Sequence, residues 1–174
     1  MMKLTKKQLQ EMLKMQDKLD TYIRKKNDIA NDIDLTQNIY IALKTELHEF
    51  INEIEFFKHW KKNKGKEHIL EEGVDCLHFI LSLMNSNEYD IQEDLEITDK
   101  QLEHMSNKSM NELYIMIDSL LVDTYMMCSF KEMLGSILVG LMIMIDRCGY
   151  TGDDMYNAYI EKNKVNVERQ NNAY

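Results

Sequence analysis

The sequence has no proline in 174 residues and only six glycines. Proline usually makes up about 5% of a chain, and it interrupts helices because it lacks the backbone N–H and its ring clashes with the preceding turn. Its absence removes the most common helix-breaking residue. Methionine, which favours helices, is abundant, with 14 copies. The chain is therefore predicted to be an all-α helical bundle, and its length suits a single domain over residues 1–174.

Apolar residues recur at helical spacing in six segments that are separated by polar or glycine-containing breaks. The predicted helices cover about residues 5–26, 34–60, 67–85, 110–129, 131–147 and 153 onwards, and Thr5 is the predicted cap of the first one. The stretch 88–111 is more polar, so residues 86–130 are expected to form a mobile insert. The segment 131–147 is dense in apolar residues, and a second copy of the chain is its expected cover, which predicts a homodimer.

The net charge of −9 argues against a protein whose main task is binding a nucleic-acid backbone, because that binding depends on Lys and Arg. A small substrate bearing phosphates is compatible with an acidic chain if metal ions supply the attraction. Cys76, Cys128 and Cys148 are irregularly spaced, which predicts neither a disulfide framework nor a zinc site. No signal-peptide core or bilayer-spanning apolar run is evident, so we expect a cytoplasmic protein that does not enter a membrane.

Two consecutive predicted helices carry carboxylates at helical spacing. Glu46, Glu49 and Glu53 fall within roughly 60° on the surface of one helix, and Glu72 and Asp75 are neighbours on the next. Such pairs are most often solvated surface charge, but these lie among apolar residues and need a counter-charge. Convergent carboxylates favour a hard cation, and Mg²⁺ is the first candidate.

A ferritin-like di-iron site is the main alternative for acids in a helical bundle. That site requires a Glu-x-x-His motif on each of two helices. The nearest case here is Asp75-x-x-His78, and no second histidine stands three residues after an acid. Oxygen ligation without paired histidines indicates Mg²⁺ or Mn²⁺ rather than iron.

Four stretches of the chain together carry a family resemblance. The first two are Met12 to Asp20 and Glu46-x-x-Glu49-x-x-x-Glu53 with Phe57-Lys58-x-Trp60. The other two are Glu71-Glu72-x-x-Asp75-x-Leu77-His78-Phe79-x-Leu81-Ser82 and Tyr159-x-x-Lys162-Asn163-x-x-Asn166-x-x-Arg169-Gln170-x-x-Ala173-Tyr174. The sequence resembles the dimeric all-α dUTPases, including phage-type members, of the all-α nucleotide pyrophosphohydrolase superfamily. No motif of that family anchors residues 86–145.

The resemblance implies hydrolysis of dUTP, and of dUDP, to dUMP with release of pyrophosphate or phosphate. It implies two or more Mg²⁺ ions, for which Mn²⁺ is a substitute, held by Glu46, Glu49, Glu72 and Asp75. Glu49 is the first candidate for the carboxylate that orients or deprotonates the attacking water, and Glu46 is the second. Glu53 is a further ligand, a residue that supports a ligand, or a salt-bridge partner on the same face.

The same resemblance implies a set of substrate-binding residues: Gln16, Lys58, Trp60, His78, Phe79, Lys162, Asn163, Asn166 and Arg169. From the residues alone, Trp60 fits a packing aromatic equally well, and the C-terminal run fits a frayed polar tail. Two alternative functions stay open, a related pyrophosphohydrolase acting on dCTP or other nucleotides, and a regulatory protein that binds a transcriptional repressor. If the chain is phage-encoded, it is expected in the host cytoplasm.

Overall fold

The computed structural model describes residues 4–92, 94–95, 99–127 and 130–172, and for residues 99–101, 127, 130 and 132 it describes the backbone but not the side chains. Seven helices occur in the described part: α1 (Lys6–Lys26), α2 (Thr36–Ile54), α3 (Ile69–Ser86), α4 (Asp99–Ser106), α5 (Met110–Met127), α6 (Phe130–Arg147) and α7 (Gly152–Asn171). No strand is found among these residues, so the all-α prediction is confirmed.

Helix α3 lies at the centre of the bundle and packs against α1, α2, α6 and α7. Eleven of its 18 residues are buried, among them His78 and Ser82. A helix that is apolar on most of its circumference must be covered on most sides, and the other helices provide that cover. Because α3 also carries Glu72 and Asp75, its packing determines which residues face those acids.

The ends of two helices follow from side-chain capping. Thr5 caps α1 in a capping box with Gln8, as the sequence predicts, and Thr151 caps α7 in the same way with Asp154. In each box the hydroxyl accepts from the third residue of the helix and that residue's side chain accepts from the cap backbone N–H. These boxes determine where the two helices begin, and α1 and α7 then pack against each other.

The prediction that the second helix runs to residue 60 is wrong, because α2 ends at Ile54. Glu55 adopts a left-handed backbone conformation with φ of 59°. Its carboxylate is almost fully buried and is bonded by Lys58, at 2.9 Å, and by Lys61. Lys61 is six residues after Glu55 and reaches it because the chain turns back on itself, so residues 55–62 form a turn rather than another two helical turns.

Helix α6 is covered by its own chain. It packs against α3 and α5 and buries Leu138 and Met144 completely, so the expectation that a second copy must cover it is wrong. Among the helices, exposed large apolar side chains lie on α2 at Ile41, on α5 at Ile115, Val122 and Met126, and on α7 at Val165. Ile33, Phe57 and Trp60 are exposed outside the helices. The segment 86–130 contains α4 and α5, and its mobility stays a prediction.

Within the described ranges, no single helix is long and apolar enough to cross a bilayer. The pair Met133–Arg147 and Gly152–Asn171, bent by 108°, meets that criterion jointly on length and composition alone. Cys76 and Cys148 are free thiols, whereas Cys128 lies outside the described residues.

The close approach of α3 to α2 and α6 occurs at Gly73. A Cβ atom there would lie 2.7 Å from Ile145 Cδ1 and 3.1 Å from Phe50 Cε2. Both distances are shorter than ordinary van der Waals contact, so the absence of a side chain allows the three helices to meet. Gly73 is adjacent to Glu72, and this contact therefore helps to hold the α3 acids beside α2.

Replacing Gly73 with leucine is expected to lower the free energy of unfolding by about 1–3 kcal/mol, because a large side chain must displace two packed helices. Gly73→Ala is the matched control. It adds a single carbon against the mobile end of Ile145 and gains up to about 1 kcal/mol of helix propensity, so its stability should stay near that of the natural protein. Urea denaturation followed by circular dichroism measures both, and equal stability of the two variants would contradict the close-contact argument.

Candidate functional site

Three carboxylates from α2 and α3 converge on one place. Oxygen atoms of Glu46, Glu72 and Asp75 all lie within 4.8 Å of one another, and all three side chains are half-buried. The helical spacing of Glu72 and Asp75 places both on the face of α3 that meets α2, where Glu46 stands. We call these three residues the acid cluster.

The pKa values of the acid cluster are raised, which shows that bringing these carboxylates together costs free energy. Burial raises the pKa of Glu46 to about 7, with further contributions from the charges of Asp75, Glu49 and Glu72. Burial also raises the pKa of Glu72 and of Asp75 above their usual values. Half-buried carboxylates that repel one another are stabilised by a bound cation, and their oxygens suit a hard divalent ion.

Lys162 supplies a positive charge at the edge of the acid cluster. Its Nζ atom lies 2.6 Å from Asp75 Oδ2 and 3.0 Å from Glu71 Oε1, and its side chain is 13% exposed. Burial lowers the pKa of Lys162, but the bonds to Asp75 and Glu71 outweigh burial and raise it. These two ion pairs connect helix α7 with the acids of α3.

The other two acids of α2 differ from each other. Glu49 is exposed, and its charge contributes to the raised pKa of Glu46 and of Glu72, so it borders the acid cluster without belonging to the group of three. Glu53 accepts a bond from Lys66 Nζ at 2.8 Å. Glu53 thus forms a salt bridge, as considered for it, and its role as a metal ligand stays a prediction.

A cavity of about 530 Å³ opens beside the acid cluster. Its walls come from α1, α2, α3 and α7, and from the loop before α2. Seven of the residues singled out from the sequence line it, namely Gln16, Glu46, Asp75, His78, Phe79, Asn166 and Arg169. Carboxylates, aromatic rings and a guanidinium from four helices thus face one space of the size of typical small-molecule sites.

Asp20, Ser82 and Gln170 also line this cavity, but they were not among the site residues selected from the sequence. A helical-spacing signal existed for Ser82, because Asp75, His78 and Ser82 are three and then four residues apart and so share a stripe of α3. Gln170 extends the C-terminal run by one residue, and its Oε1 accepts from Asn27 Nδ2 at 3.1 Å. Ala173 and Tyr174, the last residues of that run, lie outside the described part.

His78 is a buried neutral histidine. Burial lowers its pKa to about 3, and its ring stacks on Tyr159 with centroids 4.3 Å apart. Its Nδ1 atom lies 2.7 Å from the amide oxygen of Gln16, so we assign the ring proton to Nδ1. His78 Nε2 and Asn163 Nδ2 are buried and have no hydrogen-bond partner among the described residues.

Four of the predicted substrate residues are not among those that line the cavity, namely Lys58, Trp60, Lys162 and Asn163. Trp60 is 67% exposed in the turn after α2, where its ring meets those of Phe57 and His59. Lys58 Nζ pairs with Glu55 and lies 5.6 Å from the centre of the Phe57 ring. Neither side chain is among those that line the cavity.

Comparison with known proteins identifies one family. A family model described as dUTPase matches residues 8–174. The match spans all seven helices, including the 86–145 region for which the sequence motifs offered no anchor. No curated protein matches the chain.

The raised pKa of Glu46 predicts a pH-dependent stability in the metal-free protein. The folded state holds this proton more tightly than the unfolded state, so it binds more protons between about pH 4.5 and the folded pKa of about 7. The contribution of Glu46 to stability is therefore present at low pH and is lost as the pH rises through that window. In EDTA, the natural protein should lose more thermal stability between about pH 5 and about pH 8 than Glu46→Gln does.

The control for this measurement is Glu161→Gln, which removes an exposed carboxylate of α7 that pairs with Lys164. Its stability should follow the natural protein across the same pH range. If Glu46→Gln and the natural protein show the same pH dependence, the repulsion assigned to the acid cluster is absent.

Proposed function

We propose that this chain, which belongs to the dUTPase family, catalyses a reaction that requires a divalent metal ion. Family membership supports the hydrolysis of dUTP, and the finer proposal is that Mg²⁺ held by the acid cluster is required. Hydrolysis would yield dUMP and pyrophosphate, and dUDP would be a second substrate that yields dUMP and phosphate. The observation that carries the proposal is that Glu46 and Asp75 line the same cavity as Asn166 and Arg169.

The residues present fit a divalent metal. Three half-buried carboxylates from two helices share one place. Burial raises the pKa of each, and the charges of the neighbouring acids raise those of Glu46 and Glu72 further. The donor atoms are all oxygens, which Mg²⁺ and Mn²⁺ prefer. Bound Mg²⁺ would neutralise phosphate charge and make a bound water more acidic. We propose that Glu46, Glu72 and Asp75 hold it, and that Glu49 completes the set when a second ion is present.

Glu49 is our proposed base for the attacking water. It is exposed and borders the acid cluster, so it is free to approach a water molecule that the substrate brings in. Glu46 is the second candidate, because a carboxyl with a pKa of about 7 takes up and releases a proton near neutral pH. A general base works best when its pKa lies near the pH at which the enzyme operates.

We propose that α7 meets the phosphates. Arg169 lines the cavity and offers the planar pair of donors that suits a phosphate, and Asn166 stands one helical turn before it. Lys162 is bonded to Asp75 and Glu71, and a substrate phosphate is the natural second partner for its ammonium group. The unpartnered Nε2 of His78, a residue that lines the cavity, is a buried acceptor that a ligand would satisfy.

Trp60 and Lys58 take part in this proposal only through a movement of the turn that bears them. Both lie outside the cavity, on the segment that Glu55 anchors through Lys58 and Lys61. Phe79, by contrast, already lines the cavity and needs no movement to flank a sugar or a base.

Pyrophosphate release from a panel of deoxynucleoside and ribonucleoside triphosphates, with and without Mg²⁺, tests the proposed function. We expect dUTP to be hydrolysed only when the metal is present. Glu72→Gln keeps the shape of the acid cluster but removes one charge, so it should lower kcat/KM by at least about 100-fold and abolish the rise in melting temperature that Mg²⁺ produces.

Glu161→Gln is the matched control, because it removes one exposed carboxylate of α7 that lies outside the cavity lining. It should behave as the natural protein does. Preferred hydrolysis of dCTP would favour the related pyrophosphohydrolase, whereas no hydrolysis of any nucleotide would contradict the proposal and leave the repressor-binding alternative.

We also propose that the protein is a homodimer that pairs through α2 and α5. Ile41, Ile115 and Met126 are each more than 60% exposed there. Beside them lies an apolar groove of about 460 Å³ between α2 and α5, lined in part by Phe57 and Tyr114. Contiguous exposed apolar surface of this kind is typical of protein interfaces. A repressor or other protein partner would compete with the second copy for the same face.

Light scattering should give twice the mass of the 20.7 kDa chain for the natural protein. The double variant Ile115→Glu with Met126→Glu places charges on the α5 surface and should be monomeric. Val165→Glu is the control, because Val165 is an exposed apolar residue of α7, away from that face, and its variant should stay dimeric. A monomeric natural protein would show that the exposed face serves another purpose.

A further inference from the structure

Lys162 lies between the acid cluster and a second groove. This groove of about 480 Å³ runs between the start of α3 and the middle of α7, and Lys162 lines it together with Glu71 and Glu161. Asp75 lines the cavity beside the acid cluster instead. The bond from Lys162 Nζ to Asp75 Oδ2, at 2.6 Å, therefore crosses the boundary between the two spaces.

This bond places a positive charge where a metal ion would also act. The ammonium group of Lys162 donates a charge-assisted hydrogen bond to one carboxylate of the acid cluster. The lysine side chain is only 13% exposed, so water and salt screen its charge poorly. Among the described residues, Lys162 is the only cation that forms an ion pair with a member of the acid cluster.

A divalent ion and the ammonium group compete for Asp75. The two oxygens of Asp75 belong to one carboxylate, so an ion bound there would lie a few ångströms from the Lys162 nitrogen. Like charges at such a distance repel strongly in a half-buried place. A metal ion must therefore weaken or break the Lys162 bond before it gains full use of Asp75.

The protein offers the displaced ammonium group another position. Lys162 Nζ is also bonded to Glu71 Oε1 at 3.0 Å, and Glu71 does not belong to the acid cluster. Beyond Glu71, the groove is lined by Glu67 and Glu161, so a lysine that leaves Asp75 keeps carboxylates around it. The flexible four-carbon side chain of a lysine can make this change while its helix stays in place.

We propose that Lys162 is an internal competitor of the metal: it holds Asp75 in the metal-free protein and moves to Glu71 and the groove when a divalent ion enters the acid cluster. The contact is autoinhibitory, because it lowers the affinity of the site for a free cation. It also partly neutralises the repelling acids before the metal arrives. This inference rests on the proposed function, since it takes the occupant of the acid cluster to be a divalent ion.

The two positions of Lys162 couple the binding of cations to the binding of anions. Whatever draws the ammonium group away from Asp75 raises the affinity of the acid cluster for metal, and this coupling is reciprocal. A free cation has to break the ion pair by itself, whereas an anion that arrives with the cation attracts the released ammonium group. The site thereby favours a cation bound to an anionic ligand over the free ion.

Lys162→Met tests this inference through the dissociation constant of Mg²⁺ alone, measured by calorimetry without nucleotide. The natural protein must break a charge-assisted hydrogen bond to bind the ion, and the variant has none to break. We therefore expect the variant to bind Mg²⁺ at least about tenfold more tightly than the natural protein. Equal or weaker binding by the variant overturns the proposal.

Arg169→Gln is the matched control for charge. Arg169 acts on Asp75 through its charge, without the direct ion pair that Lys162 forms in the part of the chain that the structure describes. Its loss should change the dissociation constant of Mg²⁺ by less than about threefold. If both variants gain affinity equally, overall charge explains the effect and the competition for Asp75 is disproved.

A measurement on the natural protein does not depend on the stability of any variant. Acetic anhydride modifies lysine amines according to how often they are open to solvent, and mass spectrometry reports each lysine separately. Adding Mg²⁺ should increase the modification rate of Lys162 at least about threefold, because the ion releases it from Asp75. Lys131 on α6, which is 48% exposed and pairs with Asp94, is the internal control and should react at a constant rate. An unchanged rate for Lys162 overturns the proposal.

These outcomes separate the two proposals. If neither the natural protein nor Lys162→Met binds Mg²⁺, the proposed metal site is wrong and this inference falls with it. If the natural protein binds Mg²⁺ and hydrolyses dUTP, but Lys162→Met gains no affinity and the modification of Lys162 ignores the metal, only the role of Lys162 is wrong.

Discussion

The burial of α3 forces like charges together, and the functional site depends on this constraint. The apolar stripes of α3 are covered by α1, α2, α6 and α7, so the helix cannot rotate to move Glu72 and Asp75 away from Glu46 without exposing its core residues. The repulsion is retained in the fold and is visible as raised pKa values. Packing energy thereby holds together a group of acids that would separate in solution, and the proposed cation site depends on this arrangement.

The counter-charge for these acids comes from the far end of the chain. Lys162 on α7 bonds Asp75 and Glu71, and the same helix carries Asn166 and Arg169 into the cavity. A cation that enters the acid cluster competes with Lys162 for Asp75, which would free the ammonium group beside the incoming phosphates. Lys162 thus connects the acids of α3 electrostatically with helix α7.

Most helices and the acids were predictable from sequence because both depend on local periodicity. The spacing of Glu46 and Glu49, and of Glu72 and Asp75, is a property of one helix each. Lys162 as their partner was not predictable, because it is 87 residues from Asp75 and only the packing of α7 brings it there. The end of α2 was missed for a similar reason, since Glu55 turns the chain by binding lysines that follow it rather than by a glycine or proline signal.

The role of Gln16 shows a different limit of motif reasoning. An amide has both a donor and an acceptor, and a sequence pattern can place it beside a ligand without showing how many of its bonds the protein already uses. Here His78, Ser82 and Tyr159 come from two other helices and surround the Gln16 amide together with Asp20. Asp20 accepts one hydrogen bond at each of its oxygens and keeps further acceptor positions on both. Which residue can contact a ligand therefore depends on which donors and acceptors the packed helices leave unpaired. That is a property of α1, α3 and α7 together.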